Sequence, residues 1–339
     1  MRHTLLYLLT LLAWLSAGQA SAQHLDLQYT TEIQTDFGRD FNWVNQLRLD
    51  FTANLSRHFG VQASTLSMAQ THEGSILGDW QTFSNLEAGN TPLALAVMGM
   101  EWTSGRHSLF AGIRTVPEDY FASPVTGLFV NSSCGIFPTL SAVYPIPNYP
   151  YAGVGLHYAY EAPNLTAQAN LYNGTGSDRL TGRHNVFRVC PQSDGLFAIG
   201  DVQYRHQGSR YFLGASGVST FGKAPGEGTE FFTLWTYAEQ LLCPNVSLLI
   251  NLSHNFNSAA VCRDFAGIGA KVDVKEAELG LFTDMARYQE GKEWATELTC
   301  KLPLKLHDRL ETYIQPALHF VHNSDMTGMA GMLRFGVEL

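Results

Sequence analysis

Residues 42–56 read NWVNQLRLDFTANLS, and the alternation within them decides the fold. Trp43, Leu47, Leu49, Phe51, Ala53 and Leu55 share one phase, while Gln46, Arg48, Asp50, Thr52, Asn54 and Ser56 share the other. A period of two puts the first set on one face of an extended strand and the second set on the opposite face. The pattern recurs outward in both directions. Leu25, Leu27, Tyr29 and Ile33 interleave with Asp26, Gln28, Glu32 and Gln34, and Val246, Leu248, Ile250 and Leu252 interleave with Ser247, Asn251 and Ser253. Met329, Leu333, Phe335, Val337 and Leu339 carry it to the last residue. Apolar residues at three- and four-residue spacing, which a helix needs, are not sustained over any comparable length.

About 16 such runs succeed one another, from 24–34, 42–56 and 60–69 to 293–302, 308–320 and 328–339. The gaps between them alternate, long after every odd run and tight after every even one, as at Thr103–Arg106 and Gln207–Ser209. That is the plan of an antiparallel barrel with short turns at one end and longer loops at the other. A sheet whose outer face meets lipid cannot leave an edge unpaired, so it closes on itself and its inner face can be polar. The expectation is an all-β fold: a transmembrane antiparallel β-barrel of 16 strands in an outer membrane, wide enough for water. Aromatic residues at strand ends (Trp43, Trp102, Tyr158, Tyr160, Tyr204, Phe231, Trp294, Phe320 and Phe335) fit interfacial girdles.

Composition agrees. The chain of 339 residues is 45% hydrophobic and only 15% charged, against roughly 25% charged in ordinary globular domains. Uncharged polar residues fill the gap, which excludes a disordered acidic chain and a coiled coil. A formal net charge of −9 argues against a polyanion-binding protein. Arg2 and His3, the apolar run Leu5–Trp14 and the small residues Ala20, Ser21 and Ala22 read as a secretory signal over 1–22, leaving 23–339 as the barrel domain.

The longest gap, 115–151, predicts a loop that folds inward and constricts the pore. It holds Glu118, Asp119, Tyr120, Phe121, Phe129, Asn131, Ser132, Ser133 and Cys134, and it is entered from Phe110, Gly112 and Arg114 on the lumen phase. Carboxylates, arginine and asparagine around exposed aromatics suit a sugar, whose hydroxyls pair with polar groups while its C–H faces lie on rings. In the same phasing the wall offers Asp26, Glu32, Asp50, Glu161, Asp201, Glu276, Glu278, Glu297 and Glu311 against Arg48, Arg114, Arg205, Lys271, Lys301 and Arg334. This acidic surplus predicts weak preference for cations.

Gly78-Asp79, Ser84-Asn85 and Glu87-Ala88 form a segment that resembles the GD-x-x-x-x-SN-x-EA motif of carbohydrate-selective porins of the OprB type. The order that follows is similar too: Trp102, Arg114, Asp119-Tyr120-Phe121, the stretch Phe129 to Pro138, Tyr144-Pro145 and Asn170-Leu171-Tyr172-Asn173-Gly174. The resemblance is dense from about residue 75 to 175 and thin elsewhere; Cys134 and the terminal Leu339 depart from the usual pattern. It implies a cofactor-free, non-enzymatic porin for mono- or small oligosaccharides. It also points to Glu87, Arg114, Asp119 and Asn131 as constriction or loop-fixing groups, and Arg114 is expected to face Glu87 across the pore. Tyr120, Phe121, Arg48 and Arg205 complete the candidate set. Expected partners are permeating sugars, outer-membrane lipid, the barrel-assembly machinery and, as in wide porins generally, two further copies in a trimer.

Five cysteines in an exported chain suggest a disulfide, with Cys134 and Cys190 the preferred pair; none sits in a CxxC pair, so no metal is expected. Two rivals remain, a general non-specific channel and a barrel hydrolase. For the latter His157, His206, His254 and His319 lie on or near strands, but only His157 and His319 have lumen phase and neither has a nucleophile at a recognisable spacing.

Overall fold

The computed structural model describes residues 23–143, 145–219, 230–307 and 310–339. The predicted signal 1–22, Tyr144 and residues 308 and 309 of the fifteenth run lie outside the described residues. Sixteen strands follow in order. They are β1 (Gln23–Thr35), β2 (Phe41–Asn54), β3 (Phe59–Gln70), β4 (Thr91–Ser104), β5 (His107–Arg114), β6 (Gly153–Ala162), β7 (Leu165–Asn173) and β8 (Leu196–His206). Then come β9 (Ser209–Ser219), β10 (Phe231–Cys243), β11 (Val246–Asn255), β12 (Cys262–Val274), β13 (Ala277–Tyr288), β14 (Lys292–His307), β15 (Leu310–His322) and β16 (Thr327–Glu338). Each predicted run falls on one of them.

Every strand pairs antiparallel with its neighbours in sequence, and β1 pairs with β16 to close the barrel, for example Ile33 with Leu333 and Tyr29 with Val337. Alternation survives into three dimensions: Leu49, Leu156, Leu213, Ile268 and Leu281 are exposed on the outer face, whereas Glu32, Asn251, Asp284 and Glu297 are buried on the inner. The tight end includes two-residue hairpins such as Gln207-Gly208, whose φ of 48° and 82° give the mirror-image turn that matches strand twist. At the other end the loops after β13 and β15 are short (289–291 and 323–326), because these strands and β14 run further than the alternation alone predicted. The girdle needs one correction. Phe231 is buried inside and its neighbour Phe232 is the exposed ring, since two adjacent aromatics leave the phase of a strand start undecided.

Two long loops do not stay outside. Segment 115–152 reaches inner-face side chains of β2, β7, β10, β13, β14 and β15, which a chain can do only from within the barrel. Its Tyr120, Phe121, Phe129, Phe137 and Leu140 pack with wall residues Phe197, Phe212, Trp235, Tyr237, Phe265 and Phe282 into one core. Burying each such side chain contributes roughly 1.5–3 kcal/mol. Segment 71–90 follows it inward against β1, β14 and β16. Part of the lumen is therefore filled, and the open remainder runs along β1–β3.

Candidate functional site: a loop-lined passage

The open remainder is a cavity of about 870 Å³. Asp26, Gln28 and Glu338 border it at the end of the tight turns; Trp80 and Tyr288 border it at the end of the long loops. Between them lie Gln46, Arg48 and Asp50 of β2, Asn85 and Glu87 of segment 71–90, and Glu118, Ser133 and Tyr149 of segment 115–152.

Arg48 occupies the middle of this wall because β2's alternation turns it inward beside Asp50. Its Nε donates to both Asp50 oxygens at 2.9 and 2.8 Å, and its Nη1 and Nη2 fork onto Glu118 at 2.8 and 3.0 Å. Two opposed bidentate contacts fix the planar guanidinium and tie the loop to the wall. Ser64 donates its hydroxyl to the same Asp50. Tyr149 makes a second tie: it accepts from Gln46 at 2.6 Å and donates to the Leu86 carbonyl at 3.3 Å, joining both inward loops to β2.

Arg114 pairs with Asp119, not with Glu87. Its Nε lies 2.9 Å from each Asp119 oxygen and its Nη2 2.6 Å from one, while its guanidinium rests 4.8 Å over the Phe110 ring. Asn170 Nδ2 donates to the same carboxylate at 2.9 Å. The partner is five residues away because the short helix at Val116–Glu118 turns the chain straight back over its own strand end. Gly112 allows that strand to approach β4, since a Cβ there would sit 2.3 Å from the Met98 carbonyl oxygen.

The other predicted residues hold the loop in place. Tyr120 is buried and donates to Asn170 Oδ1 at 2.7 Å. Phe121 wedges its ring 4.7 Å from Trp235 at a φ of 65°, a left-handed conformation that a bulky residue adopts only under tight constraint. Asn131 accepts from the Ser133 N–H at 3.2 Å and donates to Asp284 at 3.3 Å. Arg205 lies elsewhere, bonded to the Ala162 carbonyl and Thr166 hydroxyl at the β6–β7 turn. Of the candidate set, Arg48 and Glu87 border the passage.

Glu87 is unusual. Both carboxyl oxygens are buried with no hydrogen bond of normal geometry, and the Gln34 side chain makes only a looser one to them. Burial first, then the charges of Asp79 and Glu32, pushes its pKa up to about 8. Burial likewise raises Asp79, in the same segment, to about 6.

Three wall glutamates, only one of which the sequence had marked, grip the loops by their backbone. Glu239 accepts from the N–H groups of Val125 and Thr126 (2.9 and 3.3 Å), Glu293 from those of Trp80 and Gln81 (both 2.8 Å), and Glu297 from those of Val130 and Asn131 (3.0 and 2.9 Å). Their partners are more than a hundred residues away in sequence, and no local signal announces them.

The predicted Cys134–Cys190 bridge is absent: all five cysteines are free thiols. Cys134 is enclosed in the aromatic core, where burial and then the charges of Glu297, Asp284 and Glu239 push its thiol pKa up. Cys190 is held at the end of β7, its N–H donating to Asn173 Oδ1 at 2.9 Å. A cysteine count fixes neither position.

Residues 20–240 match the family described as carbohydrate-selective porin, OprB family. The chain belongs to that family. The porin is therefore an outer-membrane channel for carbohydrates and not an enzyme. Among solved structures, it is similar to the high-pH structure of Pseudomonas putida OprB at 13% identity and a TM-score of 0.76, covering 97% of this chain and 96% of that one. Vibrio cholerae OmpT in its trimer form matches at 12% identity and a TM-score of 0.58, over 94% of this chain and 99% of that one. OpdK from Pseudomonas aeruginosa matches at 11% identity and a TM-score of 0.57, with the same coverage. No curated protein matches. At such identities the likeness to the solved structures is one of fold.

Proposed function

We propose that mono- and small oligosaccharides cross by passive diffusion along the β1–β3 passage, and that the Arg48–Asp50–Glu118 group is the polar contact they meet midway. The supporting observation is the double fork on Arg48, which holds donors and acceptors in fixed positions on the passage wall. A sugar presents vicinal hydroxyls that both donate and accept, so a preorganised charged rail recognises it without closing the water path. Arg114 and Asp119 set the loop that forms the opposite wall. Assembly as a homotrimer in outer-membrane lipid, with insertion by the barrel-assembly machinery, is part of the same proposal; the trimer form of OmpT, on the same fold, supports the trimer.

The test is sugar block of ion current in planar bilayers. Arg48→Gln is expected to weaken block by glucose about ten-fold, the loss of one charge-assisted contact, with a modest rise in open-channel conductance. Unchanged block would move the contact elsewhere. A general channel would show no concentration-dependent block at all.

A further inference from the structure

Resting on the reading that sugars use this passage, we propose a separate docking subsite for a pyranose ring at its extracellular end, built by Trp80, Tyr288 and the Gln81 amide. Trp80 belongs to segment 71–90 and Tyr288 ends β13, so residues far apart in sequence meet at the mouth. Their rings stand 5.2 Å apart at 71°, an edge-to-face corner, and both border the cavity. A pyranose has an apolar C–H face and a polar rim, and a corner of two rings covers the face while leaving the rim free.

The platform is rigid. Glu293 receives the Trp80 and Gln81 N–H groups, each at 2.8 Å, and is itself steadied by Asn323 Nδ2 at 2.7 Å. The Tyr288 hydroxyl donates to the Trp80 carbonyl at 3.4 Å. Beside the rings, Gln81 lines the cavity at 5% exposure, and neither its amide oxygen nor its nitrogen makes a hydrogen bond of normal geometry. Asp284 is its charged neighbour and accepts a looser hydrogen bond from its side chain. A buried amide left this way is costly unless something completes it. With its N–H2 turned to Asp284, the amide oxygen is left to accept from a sugar hydroxyl.

The subsite is distinct from the Arg48 group in chemistry, since it is aromatic and neutral where the other is charged. It predicts preference for ring-closed sugars over open-chain polyols. The experiment records block of ion current by glucose and by mannitol, each added on the extracellular side, for the wild-type porin and for Trp80→Ala, Trp80→Phe and Arg48→Gln. Trp80→Ala is expected to weaken glucose block about five-fold, the loss of stacked C–H surface. Trp80→Phe should retain most of it, and block by mannitol should not change. Glucose block unchanged in Trp80→Ala overturns the subsite, and if Arg48→Gln still weakens it the passage reading stands alone. An equal loss for glucose and mannitol also overturns the subsite, because it reports a displaced loop and not stacking. No glucose block of the wild-type porin overturns both readings.

Discussion

A carboxylate has two oxygens at a spacing that suits two neighbouring N–H groups, and this barrel uses that match at Glu293 and Glu297, while Glu239 takes both N–H groups on one oxygen. Glu297 is fully buried, so its oxygens are occupied by the loop's N–H groups and do not touch solutes. Glu32 is taken up by Arg334, Gln34 and Ser84, and because Arg334 stands on the basic side of the same tally this pair leaves the acidic surplus of the wall unchanged. Glu297→Gln replaces one acceptor by a donor that opposes an N–H donor. We expect a cost of about 1–3 kcal/mol at that contact, seen as noisier and larger single-channel currents with the barrel's strand signal in circular dichroism retained. Identical currents would show that the loop holds without this grip.

At the scale of the loops, Glu87 makes segment 71–90 sensitive to pH. Burial, then Asp79 and Glu32, raises its pKa from 4.5 to about 8, so the folded segment holds a proton that an unfolded chain releases. Its contribution is complete below about 4.5 and is lost as pH rises through about 8. Ionisation also adds a negative charge to the passage. The porin should therefore gain cation preference between pH 7 and pH 9 at fixed salt, and Glu87→Gln should flatten that change; a wild-type reversal potential that does not move across the interval refutes it. The strands were legible in the sequence because lipid outside and water inside impose a two-residue period on each one independently. The loops were not. Arg48–Glu118 and Gln46–Tyr149 join residues 70 and 103 positions apart, and nothing local to either partner records the other. Arg114 was read as reaching across the pore because its strand phase is correct, yet the turn at Val116–Glu118 brings Asp119 back to it first. Trp80 lay inside the recognised motif but had no assigned role until β13 brought Tyr288 to its side.

At the scale of the whole molecule, among the described residues the passage carries Asp26, Asp50, Glu87, Glu118 and Glu338 against Arg48 alone. Near neutral pH Glu87 is largely protonated, and the remaining carboxylates still outnumber the guanidinium. A narrow water-filled path of this sign concentrates cations, and salt screens the effect over ~8 Å at physiological strength. Reversal potentials in a KCl gradient should show weak cation selectivity at low salt that fades at high salt; anion preference at low salt would contradict the assignment of this path. The sixteen-strand wall sets the bore, and the two inward loops set what remains of it. Because the wall glutamates hold those loops by main-chain N–H groups, to that grip residues 80, 81, 125, 126, 130 and 131 supply only an amide hydrogen, which proline alone lacks. The frame and the lining can therefore be edited separately, and a new solute preference can be grafted onto the lining of this barrel while its architecture stays fixed.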